Sequence, residues 1–403
     1  MITIKPFQPW RPDPKHIEEV ACVPYDVIDV EEARALAEGR PKSFLHVIRP
    51  EIDLPEDTDS HADAVYAKGA ENLKALIESG ELQHEPEPAL YVYRLVWKGR
   101  SQTGLFSCVS VRDYDEDRIL KHELTRPDKE DDRTRHLIEQ QAHAEPVMLT
   151  CRGSEAISRE MKRITENRGP LFDFKASDGV QHTLWKVADY DGLHQAFSEL
   201  NALYVADGHH RCKSASRLAE HERAQNPDST GEEAWNYFPA VIFPKEEMEI
   251  LPYNRVIHKV APETFTRLKT ELKLEPTGTP SPSTKGQVCA YYDGIWYQFR
   301  LPEPVFGKVA DTLDAARLQK SVFEPYFGIE NPRTDTNISF IGGIRGTQEL
   351  ERLVDSGKAE LAFSVYATSI QELMDVSDAG ELMPPKSTWF EPKLRSGLLV
   401  HKV

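Results

Sequence analysis

The chain has 403 residues, of which 39 % are apolar and 29 % charged, and its formal net charge is −17. That balance excludes a disordered chain and supplies enough apolar residues for a substantial core in two or three domains. It also argues against nucleic acid as a partner, because phosphate backbones are held by clustered lysine and arginine, yet a local basic site could still hold a small anion.

No run approaches the roughly 18 apolar residues a membrane helix needs. "MITIKPFQPWRPDPKH" has no apolar core of the secretory type, so a cytoplasmic protein is expected. Cys22, Cys108, Cys151, Cys212 and Cys289 are odd in number, far apart and form no C-x-x-C pair. A disulfide framework and a cysteine zinc site are therefore not expected.

In chain order, Glu31 to Arg40 reads as a short helix closed by Gly39. Ser60 to Gly80 reads as a longer one, with Ser60 as N-cap and Gly80 at the C-cap. "ALYVYRLVWKGRSQTGLFSCVSVRDY" predicts a hairpin around Lys98-Gly99-Arg100. Asp128 to Ala144 reads as a helix and Glu145 to Cys151 as the strand after it. Leu203 to Asp207 predicts a buried strand, with a helix beginning close to Gly208. Phe238 to Pro244 is another apolar run. Glu275 to Gly286, rich in Pro, Ser, Thr and Gly, is a linker. Val288 to Leu301 predicts a hairpin around Asp293-Gly294, a pair favoured in two-residue turns.

The last quarter alternates: strand at "ISFIGG", helix at "TQELERLVDSG", strand at "ELAFSVYA", helix at "SIQELMDVSDAG", strand at "GLLVHKV". The fold class is α/β, with a mixed sheet that combines hairpins and βα crossovers. The domain expectation is an N-terminal region over 1–150, a central region over 151–274 and a C-terminal region over 287–403.

Three stretches could carry chemistry. "LYVADGHHR" places Asp207, Gly208, His209, His210 and Arg211 where a strand turns into a helix. A helix start offers unpaired N–H groups and a positive dipole end, glycine permits close approach, and arginine offers a planar fork to phosphate oxygens. The histidines could donate hydrogen bonds, bind metal or move protons. Alternatively Asp207 only caps the helix and the histidines lie at the surface.

"ILKHELTRPDKEDDR" offers His122 and Glu123 as a proton-transfer pair. Adjacent strand residues face opposite ways, so both reach one pocket only if the strand has ended. The H-E-x-x-H zinc pattern fails at Arg126, and a solvated charged loop accounts for the stretch about as well. "LMPPKSTWFEPKLRSGLL" is stiffened by prolines and carries Lys386, Ser387, Thr388 and Lys393, which suit a lid over an anion. Tyr25 and Asp26 sit in a turn that either faces a pocket or only makes the turn. His46 and Arg49 fit an ordinary half-buried strand.

"VADGHHR", "MPPKSTWFEPK", "KHELT" and "VPYDVI" together resemble the domain of unknown function 1015 family, with anchors from Val23 to Lys393. The strand, Asp-Gly-His-His-Arg and helix arrangement also resembles the nucleotide-phosphate box of the ParB/sulfiredoxin superfamily, which includes free-serine kinases. That resemblance implies phosphate contacts from Gly208, His209, His210 and Arg211, with Asp207 near a metal or the acceptor. Where the family often has His-Arg after Leu-Pro, this chain has Asn254-Arg255, so either it does without that histidine or His258 substitutes.

The resulting expectation is a phosphotransferase that uses ATP or ADP with Mg²⁺ and acts on a small hydroxyl compound, free L-serine being the acceptor the resemblance implies. Glu123, Asp207 and His209 would be catalytic. Gly208, His210, Arg211, Lys386, Ser387 and Thr388 would hold the nucleotide, and Asp207 the metal. Two alternatives are a metal-dependent hydrolase using His122, Asp207, His209 and His210, and a non-catalytic nucleotide-binding regulator.

Overall fold

A computed structural model describes residues 1–304 and 307–403. The chain forms two compact units, Met1–Met248 with Pro392–Val403, and Glu249–Glu391. These boundaries differ from the three segments expected from the sequence. The main sheet of the first unit takes strands from both sides of residue 150, and hydrogen bonding between distant strands, which linker composition does not reveal, sets the limits.

That sheet contains β1 (Ile4–Lys5), β2 (Leu90–Trp97), β3 (Arg100–Ser110), β4 (Ile119–Leu120), β5 (Val147–Cys151), β6 (Phe172–Lys175), β7 (Gln181–Val187), β8 (Leu203–Asp207) and β9 (Tyr237–Pro244). Its order is β4-β8-β5-β9-β3-β2-β7-β6, with β1 on β3. β4 runs parallel to β8 and β5 parallel to β9, whereas the other pairings are antiparallel. The mixed α/β class follows. The turn between β2 and β3 holds Lys98 and Gly99 at φ of +49° and +78°, the geometry that matches strand twist in a two-residue hairpin.

The helices that matter most here are α1 (Asp63–Glu78), α2 (Pro127–Gln140), α3 (Glu155–Asn167) and α4 (His209–Gln225). α1 starts later than expected: Ala62, not Ser60, is its N-cap, and the Ser60 hydroxyl lies against His61 instead. α2 begins at Pro127, whose missing N–H has no helical partner to lose at that position. Ile157, Met161 and Ile164 of α3 and Cys212, Ala215 and Ala219 of α4 pack with Val147, Leu149, Leu203 and Val205 in one core. Each fully buried Val or Leu there contributes roughly 1.5–3 kcal/mol. His46 and Arg49, expected on a strand, fall on or next to the short helix Leu45–Ile48. In "GLLVHKV" only His401–Lys402 forms a strand, paired with Ala142–His143.

The second unit has an antiparallel sheet in the order Glu275–Pro276, Ile295–Arg300, Gln287–Tyr292, Leu361–Val365, Tyr253–Ile257, Ile338–Gly342. Its hairpin turns at Asp293 and Gly294, both with positive φ. The helix Ile370–Asp378 starts with a capping box between Ser369 and Glu372. No helix among the described residues is long and apolar enough to cross a membrane.

Candidate functional site

The junction between β8 and α4 is built by one glycine. Gly208 has φ +99° and is the N-cap of the 17-residue α4, whose first turn carries no acidic residue. A side chain there would be strained, and its Cβ would come 2.9 Å from the Arg211 Nε. The pairing of β8 with β5 shifts register between Val205 and Asp207, which turns the end of the strand out of the ladder.

Arg211, 10 % exposed, reaches back over this turn. Its Nη1 donates to the Pro146 carbonyl, its Nη2 lies 3.1 Å from the Asp207 Oδ2, and Asp26 Oδ2 is 3.9 Å away. Its Nε is buried without a partner. Lys393 places its Nζ 3.5 Å from the same Asp207 oxygen. Burial alone would raise the Asp207 carboxyl, but Lys393 and Arg211 outweigh it and hold the group below the usual carboxylate range. Asp207 was expected as a metal ligand. Two cations already face it, so little negative charge remains to attract a third, and the residue does not fit a resident Mg²⁺ site.

His209 and His122 meet edge to face, with ring centroids 4.4 Å apart. They are 7 % and 1 % exposed. Burial pushes the His122 imidazole down to about 4 and holds His209 well below the ordinary range. Glu123 joins them: one ligand atom from each of His122, Glu123 and His209 lies within 4.8 Å of the others. The strand ends at Leu120, so both neighbours can turn to one place, which a continued strand would forbid.

His210 points elsewhere. Its Nε2 accepts the backbone N–H of Arg126 at 3.1 Å, and burial lowers its pKa. A small cavity of about 40 Å³ adjoins Arg211 and is lined also by Arg133, His136, His143 and Glu145. Burial raises the Glu145 carboxyl, which accepts from the Tyr25 N–H at 3.2 Å and the Ser396 hydroxyl at 2.9 Å. Asp26 is the residue that sequence reasoning left undecided. The short 3-10 turn Tyr25–Val27 carries it to the edge of the Arg211 fork. The only local signal was the turn after Pro24.

The structure thus gathers Glu123, Asp207, Gly208, His209, His210 and Arg211 within the first unit. Lys386, Ser387 and Thr388 belong to the second unit. There Lys386 has φ +58° and its Nζ lies 5.5 Å from the centre of the Tyr253 ring, while the Ser387 hydroxyl donates to the Pro384 carbonyl at 2.7 Å. Asn254 and Arg255 are buried and serve that unit's packing: Asn254 Oδ1 accepts the Val365 N–H, and Arg255 donates to the Tyr253 and Lys386 carbonyls. His258 lies between the Lys358 carbonyl and the Ser339 hydroxyl.

Among solved structures, a free serine kinase in complex with AMP is similar at 14 % identity and a TM-score of 0.37, over 73 % of this chain and 91 % of that one. SbnI with a C-terminal truncation, from Staphylococcus aureus, is similar at 14 % identity and 0.38, over 73 % and 86 %. A conserved hypothetical protein from Pyrococcus furiosus is similar at 12 % identity and 0.34, over 73 % and 95 %. At such scores these likenesses carry nothing about ligand or activity. No curated protein matches the chain. The family described as "Protein of unknown function (DUF1015)" matches residues 4–316, and the chain belongs to it.

Proposed function

We propose that the protein is a nucleotide-dependent phosphotransferase acting on a small hydroxyl compound, with free L-serine the first acceptor to try and a ParB/sulfiredoxin-like core as its nucleotide site. The observation that supports this reading is the Gly208 junction. A left-handed glycine opens a 17-residue helix with an acid-free first turn, and Arg211 and Lys393 lie beside it. Helix N-terminal N–H groups and a guanidinium are the groups that hold phosphoryl oxygens.

In such a transfer the protein mainly positions and neutralises charge. The terminal phosphoryl of ATP or ADP passes to the acceptor oxygen. The nucleotide leaves one phosphate shorter, and the hydroxyl proton goes to a carboxylate. Asp207, held between two cations, is a poor proton acceptor, so Asp26 at the edge of the fork takes the part expected of Asp207 or Glu123. Mg²⁺ comes with the nucleotide's own phosphates rather than on Asp207.

The test is calorimetric titration with ATP and ADP, followed by assay with Mg²⁺ and a panel of hydroxyl compounds including L-serine. Binding by the native protein, weakened roughly ten-fold or more by Arg211→Ala through loss of a charge-assisted contact, is the expected result. No nucleotide binding ends the proposal. Binding without turnover of any acceptor leaves the regulator reading instead.

A further inference from the structure

The histidine pair beside the junction has no role in the phosphate chemistry above. Its origin is topological. β4 and β8 run parallel in register, Ile119 opposite Leu203 and Leu120 opposite Tyr204. The chain therefore leaves both strands at the same end of the sheet. Two and three residues past β4 come His122 and Glu123, and two past β8, beyond the Gly208 turn, comes His209. Segments more than 80 residues apart in sequence deliver two imidazoles and a carboxylate to one point, their ligand atoms within 4.8 Å of one another.

A second observation is independent of this clustering. The Nε2 of His209 is buried without a hydrogen bond, and of the two His122 nitrogens one faces the Val205 backbone while the other has no partner, although both rings are more than nine-tenths buried. Buried polar atoms in native proteins are nearly always satisfied, because leaving one unpaired forfeits its hydration with nothing in return. Aromatic packing explains the ring contact but leaves the one available lone pair of each neutral imidazole unused. A metal ion would use both.

We propose that His122, Glu123 and His209 form a binding site for a divalent first-row transition ion. The donor set decides the class. Two nitrogens and one carboxylate oxygen suit Zn²⁺, Mn²⁺ or Fe²⁺, whereas Mg²⁺ and Ca²⁺ prefer all-oxygen shells. Three protein ligands leave coordination positions open to water or a substrate oxygen, as in catalytic rather than structural sites. Asp207, neutralised by Arg211 and Lys393, is outside this set. The site differs from the sequence expectation, which grouped Asp207 and His210 with His122 and His209.

The test uses the full chain after chelator treatment. Zn²⁺ is titrated calorimetrically, and Co²⁺ is followed by its visible absorption, each with Mg²⁺ in excess. One equivalent of Zn²⁺ is expected, with affinity lowered about ten-fold or more in His209→Ala and in Glu123→Gln, and kept in His210→Ala. X-ray absorption at the zinc edge of the native protein should show two imidazole ligands. That measurement decides the matter even if a variant fails to fold. Failure of the native chain to bind one equivalent, fewer than two imidazoles, or full affinity in folded His209→Ala overturns the proposal. Nucleotide titration of the same samples is read separately, so loss of the metal site and loss of the phosphotransferase reading are distinguishable.

Discussion

Gly208→Ala isolates the part of the site that rests on backbone geometry. At φ +99° an L side chain meets its own backbone, a penalty of roughly 1–2 kcal/mol for one residue in left-handed space. The new methyl would also come 2.9 Å from the Arg211 Nε. Arg211 cannot swing away freely, because its guanidinium is held by Asp207 and the Pro146 carbonyl. Disturbing such charge-assisted bonds adds about 1.5–3 kcal/mol.

Gly80→Ala is the matched control. It lies in the same unit, has φ +79°, and a methyl there would meet nothing within 4 Å. Gly208→Ala should therefore destabilise the first unit by about 2.5–5 kcal/mol, and Gly80→Ala by about 1–2 kcal/mol. Denaturant unfolding read by near-ultraviolet circular dichroism measures both. The excess should vanish when Gly208→Ala is made in an Arg211→Ala background, since the clash partner is then absent. Equal losses at the two glycines, or an excess that survives the double variant, would refute the packing of Arg211 over the turn.

Asp26→Asn should keep nucleotide affinity within about three-fold while lowering phosphoryl transfer at least about a hundred-fold, the lower end of general-base effects, in a coupled product assay; a variant that transfers at the native rate removes Asp26 as proton acceptor. Ser369→Ala should destabilise the second unit by about 1 kcal/mol through loss of its capping box, seen as faster amide exchange in Ile370–Asp378. His401 is held neutral by burial, with its pKa lowered from 6.5 to about 4. Below pH 6.5 the unfolded chain takes up a proton that the folded chain refuses until about pH 4, so stability is complete above 6.5 and falls on acidification across that window. His401→Gln should flatten the slope by up to about 3 kcal/mol between those limits, and an unchanged slope in unfolding at stepped pH would count against the burial argument.

Local patterning carried much of the architecture. The hairpins at Lys98-Gly99 and Asp293-Gly294 were legible because φ > 0 restricts which residues can turn a chain so tightly. The β8–Gly208–α4 junction was legible for the same reason. Gly39 and Gly80, with φ of +68° and +79°, lie just past the helices they were expected to close. What failed was subtler. Ser60 has the right chemistry for an N-cap, but the chain reaches helical geometry only after Ala62, and composition does not fix the entry angle. Leu398, Leu399 and Val400 are buried, yet the strand is only His401–Lys402 and Val400 makes a single bridge to Trp10, because burial alone does not choose a hydrogen-bonding neighbour.

The sequence by itself determined the alternation of helices and strands, the turns that need glycine, and the presence of acid, glycine, histidines and arginine at one strand end. Each of those depends on residues a few positions apart. The pairing of Ile119–Leu120 with Leu203–Tyr204, the approach of Lys393 and Asp26 to the Asp207–Arg211 pair, and the meeting of His122 with His209 were decided only by the tertiary structure. Those contacts join segments about 80 to more than 180 residues apart. No short-range propensity selects between the many registers such segments could adopt, and the choice falls to whichever arrangement buries the shared core.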